Sequence, residues 1–111
     1  MIYVTVIKNK QNIVTIEATG HSGYAESGSD IVCSSVSTLM TNLANGITEI
    51  VKAQAKVVVD EQIPHLSVNL TESDADKQKS AQVLMQSTLL SLKQVAKEFS
   101  KYIKIKEMQN D

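Results

Sequence analysis

Cys33 is the sole cysteine among 111 residues, and it stands twelve positions after His21, one of two histidines. The stretch that carries them runs Gly20-His21-Ser22-Gly23-Tyr24-Ala25-Glu26-Ser27-Gly28-Ser29-Asp30-Ile31-Val32-Cys33-Ser34-Ser35-Val36-Ser37 and holds three of the four glycines. A thiol and an imidazole are what a sulfur nucleophile and its general base require. The Gly- and Ser-rich residues between them, with only Tyr24 bulky, read as a mobile surface loop able to bring the imidazole within hydrogen-bond reach of the sulfur.

Asp30 is the expected N-cap of a helix, with Ser29 the alternative. Capping by Asp30 puts Cys33 in the first helical turn, where unpaired N–H groups and the positive end of the dipole favour thiolate over thiol. The same N–H groups are candidate oxyanion donors. Asp30 and Glu26 are the carboxylates available to orient the imidazole, although capping alone would account for Asp30. Ser37 lies one turn beyond Cys33 on the same face, so its hydroxyl can meet a bound peptide or bond back to its own helix. His65 competes for the role of base, but it follows Pro64 at a strand start with no nucleophile near it in sequence, and it reads as structural.

Other chemistries find little support. One cysteine and two distant histidines lack the spacing of a metal site, so no metal is expected. No second cysteine is present to resolve a disulfide, which disfavours a redox role. No Lys follows the last loop glycine, so the phosphate-binding pattern is missing and no cofactor is expected.

The elements that must position these groups follow from periodicity. Residues 2–19 alternate around the polar Asn9-Lys10-Gln11-Asn12 and predict a β-hairpin that ends at Gly20. Val32, Val36, Leu39, Met40, Leu43, Ile47, Ile50 and Val51 are spaced for one face of a helix over about 31–52, with Gly46 inside it. Residues 55–59 and 65–70 predict two strands, broken by Asp60-Glu61-Gln62-Ile63-Pro64. Ala81, Leu84, Met85, Leu89, Leu92, Val95 and Phe99 mark a second helix over about 75–100. Residues 102–106 alternate as a last short strand, and 107–111 read as a frayed tail. The order ββαββαβ predicts an α+β fold with two layers, in which two long helices cover one face of a mostly antiparallel sheet.

Length and composition agree with one domain over residues 1–111. Eleven Lys and no Arg balance twelve acidic residues, giving a formal charge of −1. That balance has no basic footprint for nucleic acid, and the bidentate fork of Arg is missing, so no direct nucleic-acid partner is expected. No apolar run reaches the length of a membrane span, and the first residues lack a signal-peptide pattern. A lone cysteine and no targeting segment point to a reducing cytoplasm.

The block Gly20-His21-Ser22-Gly23 followed by Gly28-Ser29-Asp30-Ile31-Val32-Cys33-Ser34-Ser35-Val36-Ser37 resembles the ribosomal-processing cysteine protease family, also called Prp or YsxB-like. The resemblance extends to length and element order over the whole chain. It implies a Cys-His dyad, with Cys33 the nucleophile and His21 the general base. Gly20, Asp30 and Ser37 match further motif positions associated with loop movement, active-site support and substrate contact. The implied substrate is the N-terminal extension of large-subunit ribosomal protein twenty-seven, apolar and aromatic before the cut, received in a groove to which Tyr24 contributes. A homodimer is also implied. Ser22, Ser34 and Ser35 stand where Ala is common in the family, a departure that touches loop packing and leaves the dyad intact. Two other functions fit the same residues: a non-catalytic adaptor that binds the ribosomal protein, and a thiol-dependent acyl hydrolase.

Overall fold

The hairpin predicted from alternation is the centre of the sheet. In the computed structural model, which describes residues 1–25, 30–60 and 64–110, β1 (Ile2–Asn9) pairs antiparallel with β2 (Asn12–Thr19). The hairpin turns through Lys10, whose φ of +59° lies in the left-handed region. Outside the hairpin lie β3 (Ala55–Asp60), β4 (His65–Leu70) and β5 (Ile103–Gln109). The strand order is β3-β4-β2-β1-β5, with every pairing antiparallel except β1 with β5. The mostly antiparallel α+β arrangement expected from the sequence is therefore present.

Alternation sorts the side chains. Val4, Ala18 and Leu66 form one cross-strand row, and Val6, Ile16 and Val68 the next, all turned towards the helices. The pairing slips between Ile7 and Lys8, from Ile7 with Thr15 to Lys8 with Ile13. This bulge at Val14 restores Ile13 to the buried face three residues before Ile16, and both are fully buried. Full burial of an aliphatic side chain contributes about 1.5–3 kcal/mol, so these rows supply much of the drive to fold.

The helical layer departs from expectation in one place. The α1 helix (Ile31–Asn45) does not continue regularly to 52; a π-helical turn over Gly46–Val51 follows it and closes with Lys52 N–H donating to the Ile47 carbonyl. A wider turn rotates the face, so Ile47 stays fully buried whereas Ile50, in phase for an α-helix, turns out and is 81% exposed. Gly46 sits close against α2 (Ala75–Glu98): a Cβ there would lie 2.9 Å from Leu84 Cδ1. The α2 helix buries Ala81, Met85, Thr88, Leu89 and Leu92, starts on the Asp74 cap and ends at Glu98.

The last strand is longer than expected. Residues 107–109 are paired with β1 rather than frayed, because Glu107 bonds Lys8 at 2.8 Å and Lys93 at 3.1 Å, and Asn110 N–H donates to the Lys8 carbonyl at 2.7 Å. Among the described residues no helix is long and apolar enough to cross a membrane.

One side chain ties the layers together beside the bulge. Gln82 accepts from Ile13 N–H at 2.8 Å and donates to the Ile13 carbonyl at 2.7 Å. Replacing it by Ala leaves both groups of a buried residue without these partners, so Gln82→Ala should lower stability by about 1–3 kcal/mol. Urea denaturation measures this; an unchanged midpoint would show that water replaces the side chain without cost.

Candidate active site

The second strand delivers His21 to the end of the sheet where β1 begins. Gly20 bonds across to the start of β4, its N–H donating to the Pro64 carbonyl at 3.0 Å. Its φ is +94°, and a Cβ would lie 2.5 Å from the Met1 carbonyl oxygen, so both conformation and space require glycine here. The chain then passes beneath Met1, whose amino nitrogen donates to the His21 carbonyl and, at 3.4 Å, to the Ser22 carbonyl. These contacts fix the backbone of the two residues that face the start of α1.

At the other side Asp30 is the N-cap that its residue type suggested. Its Oδ1 accepts from Val32 N–H and Cys33 N–H, both at 3.0 Å, and its backbone is extended, with φ −82° and ψ 100°. Its Oδ2 accepts from the Ser22 hydroxyl. Burial alone would push this carboxyl up. The hydrogen bonds from the Ser22 hydroxyl, the Cys33 backbone and side chain and the Val32 backbone more than offset it and hold the pKa at about 2.

Cys33 is half-buried in the first turn of α1. Its Sγ accepts from Ser22 N–H at 3.3 Å, so the sulfur lies against the residue that follows His21. The His21 side chain is exposed at the strand end, and among the described residues no hydrogen bond joins its ring to Sγ. Three of the N–H groups at the start of α1 are already engaged: Val32 and Cys33 bond the cap carboxylate, and Ser34 N–H donates to the Asp30 carbonyl at 3.1 Å. Ser37 is exposed one turn beyond Cys33. His65 stands apart, with Nε2 3.1 Å from Glu17 Oε2 in a hydrogen-bonded contact between strands. Glu26, Gly28 and Ser29, and with them part of the expected loop, lie outside the described residues.

Two features at the site were not drawn from the sequence. Ser22 is buried at 3% exposure and, besides accepting at its carbonyl from Met1, makes three hydrogen bonds: its hydroxyl donates to Asp30 and accepts from Tyr24 N–H at 3.0 Å, and its N–H donates to the sulfur. The Tyr24 ring packs edge-on against Phe99 at 5.7 Å and Tyr102 at 5.2 Å between centroids. Three of the four aromatic residues thus meet beside the site, a grouping that the scarcity of aromatics could have flagged.

The cap makes a pH-dependent contribution with a definite sign. The folded-state pKa lies below the ordinary 3.8, so ionised Asp30 stabilises the fold above about pH 4, and that contribution fades as the pH falls through about 2. Asp30→Ala should cost about 1 kcal/mol near neutrality, and the gap in melting temperature from wild type should narrow from pH 4 to pH 2. A gap that stays constant over that range would show that the charge of Asp30 is not its source.

Known proteins supply the family. The family described as Cysteine protease Prp matches residues 1–104. A ribosomal processing cysteine protease Prp from Staphylococcus aureus is 26% identical over 106 residues, covering 95% of this chain and 97% of that protein. Its Bacillus subtilis counterpart is 23% identical over 107 residues, covering 95% and 96%. Among solved structures, a Streptococcus mutans protein is 30% identical with a TM-score of 0.86, covering 99% of this chain and 96% of its own. The S. aureus protease with a covalently linked product peptide shares the fold, at a TM-score of 0.86 and 23% identity, covering 96% of this chain and 99% of its own. With the match running from the first residue into the start of the last strand, and the sulfur held at the start of α1 against the residue after His21, the chain belongs to the Prp family of cysteine proteases.

Proposed function

We propose that residues 1–111 act as one cytoplasmic endopeptidase domain that removes the N-terminal extension of large-subunit ribosomal protein twenty-seven through a Cys33-His21 dyad. The observation that supports this reading is the 3.3 Å contact of Ser22 N–H with Sγ, in which the sulfur meets the backbone of the residue that follows His21 in sequence. The His21 side chain is exposed, and catalytic hydrogen bonds commonly tighten only when substrate is bound.

In this mechanism His21 takes the thiol proton and the Cys33 thiolate attacks the scissile carbonyl carbon. The C=O pair moves onto oxygen, and when it returns the C–N bond breaks and imidazolium gives its proton to the leaving amine. Water, deprotonated by His21, then hydrolyses the thioester and frees the acid product. Asp30 sets the position of Cys33 through the cap, Gly20 allows the close passage of Met1, and Ser37 lies on the helix surface leading away from the sulfur. Tyr24, 42% exposed on its aromatic neighbours, presents an apolar face to a substrate side chain. No cofactor takes part. The reading is supported by the relatives' description as ribosomal processing proteases and by the peptide carried by one of them.

Homodimer formation belongs to the same proposal. Val83 and Leu90, two turns apart on the outward face of α2, are 68% and 63% exposed and offer apolar surface for a second copy.

Incubation with the full-length ribosomal protein, followed by mass spectrometry of its N-terminus, tests the assignment. Cys33→Ala and His21→Ala should each lower cleavage by at least about a thousandfold with melting temperatures near that of wild type. Binding without cleavage by every preparation would favour an adaptor, and turnover of small thioesters alone would favour an acyl hydrolase.

A further inference from the structure

We propose that Ser22 is a positioning residue for the Cys33 nucleophile, holding its own backbone N–H on Sγ by clamping its hydroxyl between the Asp30 carboxylate and the Tyr24 backbone. This rests on the assignment of Cys33 as the nucleophile.

A sulfur anion, and the oxyanion that replaces it when the thiolate attacks, both need hydrogen-bond donors aimed in advance. The Val32 and Cys33 N–H groups at the start of α1 are spent on the cap. Among the described residues the donor directed at Sγ is Ser22 N–H, at 3.3 Å. The sulfur and the oxyanion share the tetrahedral carbon, so a donor beside one is close to the other.

An N–H on a loop helps only while it is held in place, and Ser22 is held from several directions. Its carbonyl accepts from the Met1 amino nitrogen at 3.4 Å. Its hydroxyl donates to Asp30 Oδ2 and accepts from Tyr24 N–H at 3.0 Å. The residue is buried, so water competes poorly for these bonds. The hydroxyl also has an electrostatic effect. The Asp30 carboxylate adjoins the sulfur, and two anions in contact repel. A hydrogen bond from Ser22 draws part of that charge away from Cys33.

Ser22→Ala removes both hydroxyl bonds and keeps the backbone N–H. The test alkylates Cys33 with iodoacetamide near pH 7, a measurement that needs no substrate, and follows kcat and KM for cleavage of an extension peptide. Alkylation of Ser22→Ala should be about tenfold slower than wild type, as expected when a hydrogen bond to a charged group is loosened. Turnover should fall by a similar factor in kcat with KM within about twofold, because the lost interaction is made to the reacting atoms. Ser22→Thr, which keeps the hydroxyl, should recover most of the alkylation rate. Thermal melts of both variants report folding separately. Wild-type alkylation by a folded Ser22→Ala would overturn the proposal, as would a loss confined to KM. Slowed alkylation in Ser22→Ala, with no cleavage of the peptide even by wild type, would uphold the role of Ser22 while removing the peptidase assignment.

Discussion

A single carboxylate joins the two halves of the site. Asp30 caps the start of α1, and each of its oxygens has work on a different side: Oδ1 satisfies the N–H groups of Val32 and Cys33, and Oδ2 takes the Ser22 hydroxyl. A buried charge is tolerated only when paired or well hydrogen-bonded, so these bonds cannot be given up independently. The start of the helix, the position of the sulfur and the path of the chain after His21 are therefore one geometric decision. Moving any of them leaves a buried anion short of donors.

The sheet supplies the fixed end of that arrangement. The β2 strand is pinned on both sides up to its last residues, and Gly20 lets the chain leave it against the Met1 carbonyl with no room for a side chain. The parallel addition of β5 to β1 has a second consequence at the same end. It brings the connection from α2, with Phe99 and Tyr102, beside the beginning of β1, where Tyr24 packs on both rings. The loop that starts from His21 is thus held by polar bonds at Ser22 and by aromatic contact two residues later. Together they give a short segment a defined conformation despite its small, polar composition.

Much of this was legible in the sequence, and the parts that were not share a cause. Alternation and helical spacing marked the elements and their order because burial on one face is a local pattern, and Asp30 was readable as a cap because capping depends on residue type and position alone. The π-turn at Gly46–Val51 was not legible. Ile50 fits an α-helical stripe, and nothing local in the sequence marks the wider turn that directs it outward. The tail at 107–109 looked frayed because the lysines that hold Glu107 come from β1 and α2, far away in sequence. At the site, Gly20, His21, Asp30 and Cys33 were visible as types in a motif. The role of Ser22 was not, since a serine in a glycine-rich loop looks like solvent-facing punctuation until its hydroxyl is found buried against Asp30.

The same contacts show how a cap and a sulfur nucleophile can be neighbours. A carboxylate is among the best N-caps, but placed against a sulfur in the first turn it opposes negative charge there, and it also consumes the N–H groups that a helix start would otherwise present. A serine or threonine cap would avoid the repulsion and forgo the stronger charge-assisted bonds. Here the carboxylate is retained and its charge is shared among Ser22, Val32 and Cys33, which keeps it ionised down to about pH 2. Donation to the sulfur then falls to a backbone N–H from outside the helix, whose direction depends on the hydroxyl bonded to that same carboxylate. The two requirements, a firm helix start and a donor on the sulfur, are met by one side chain that touches both.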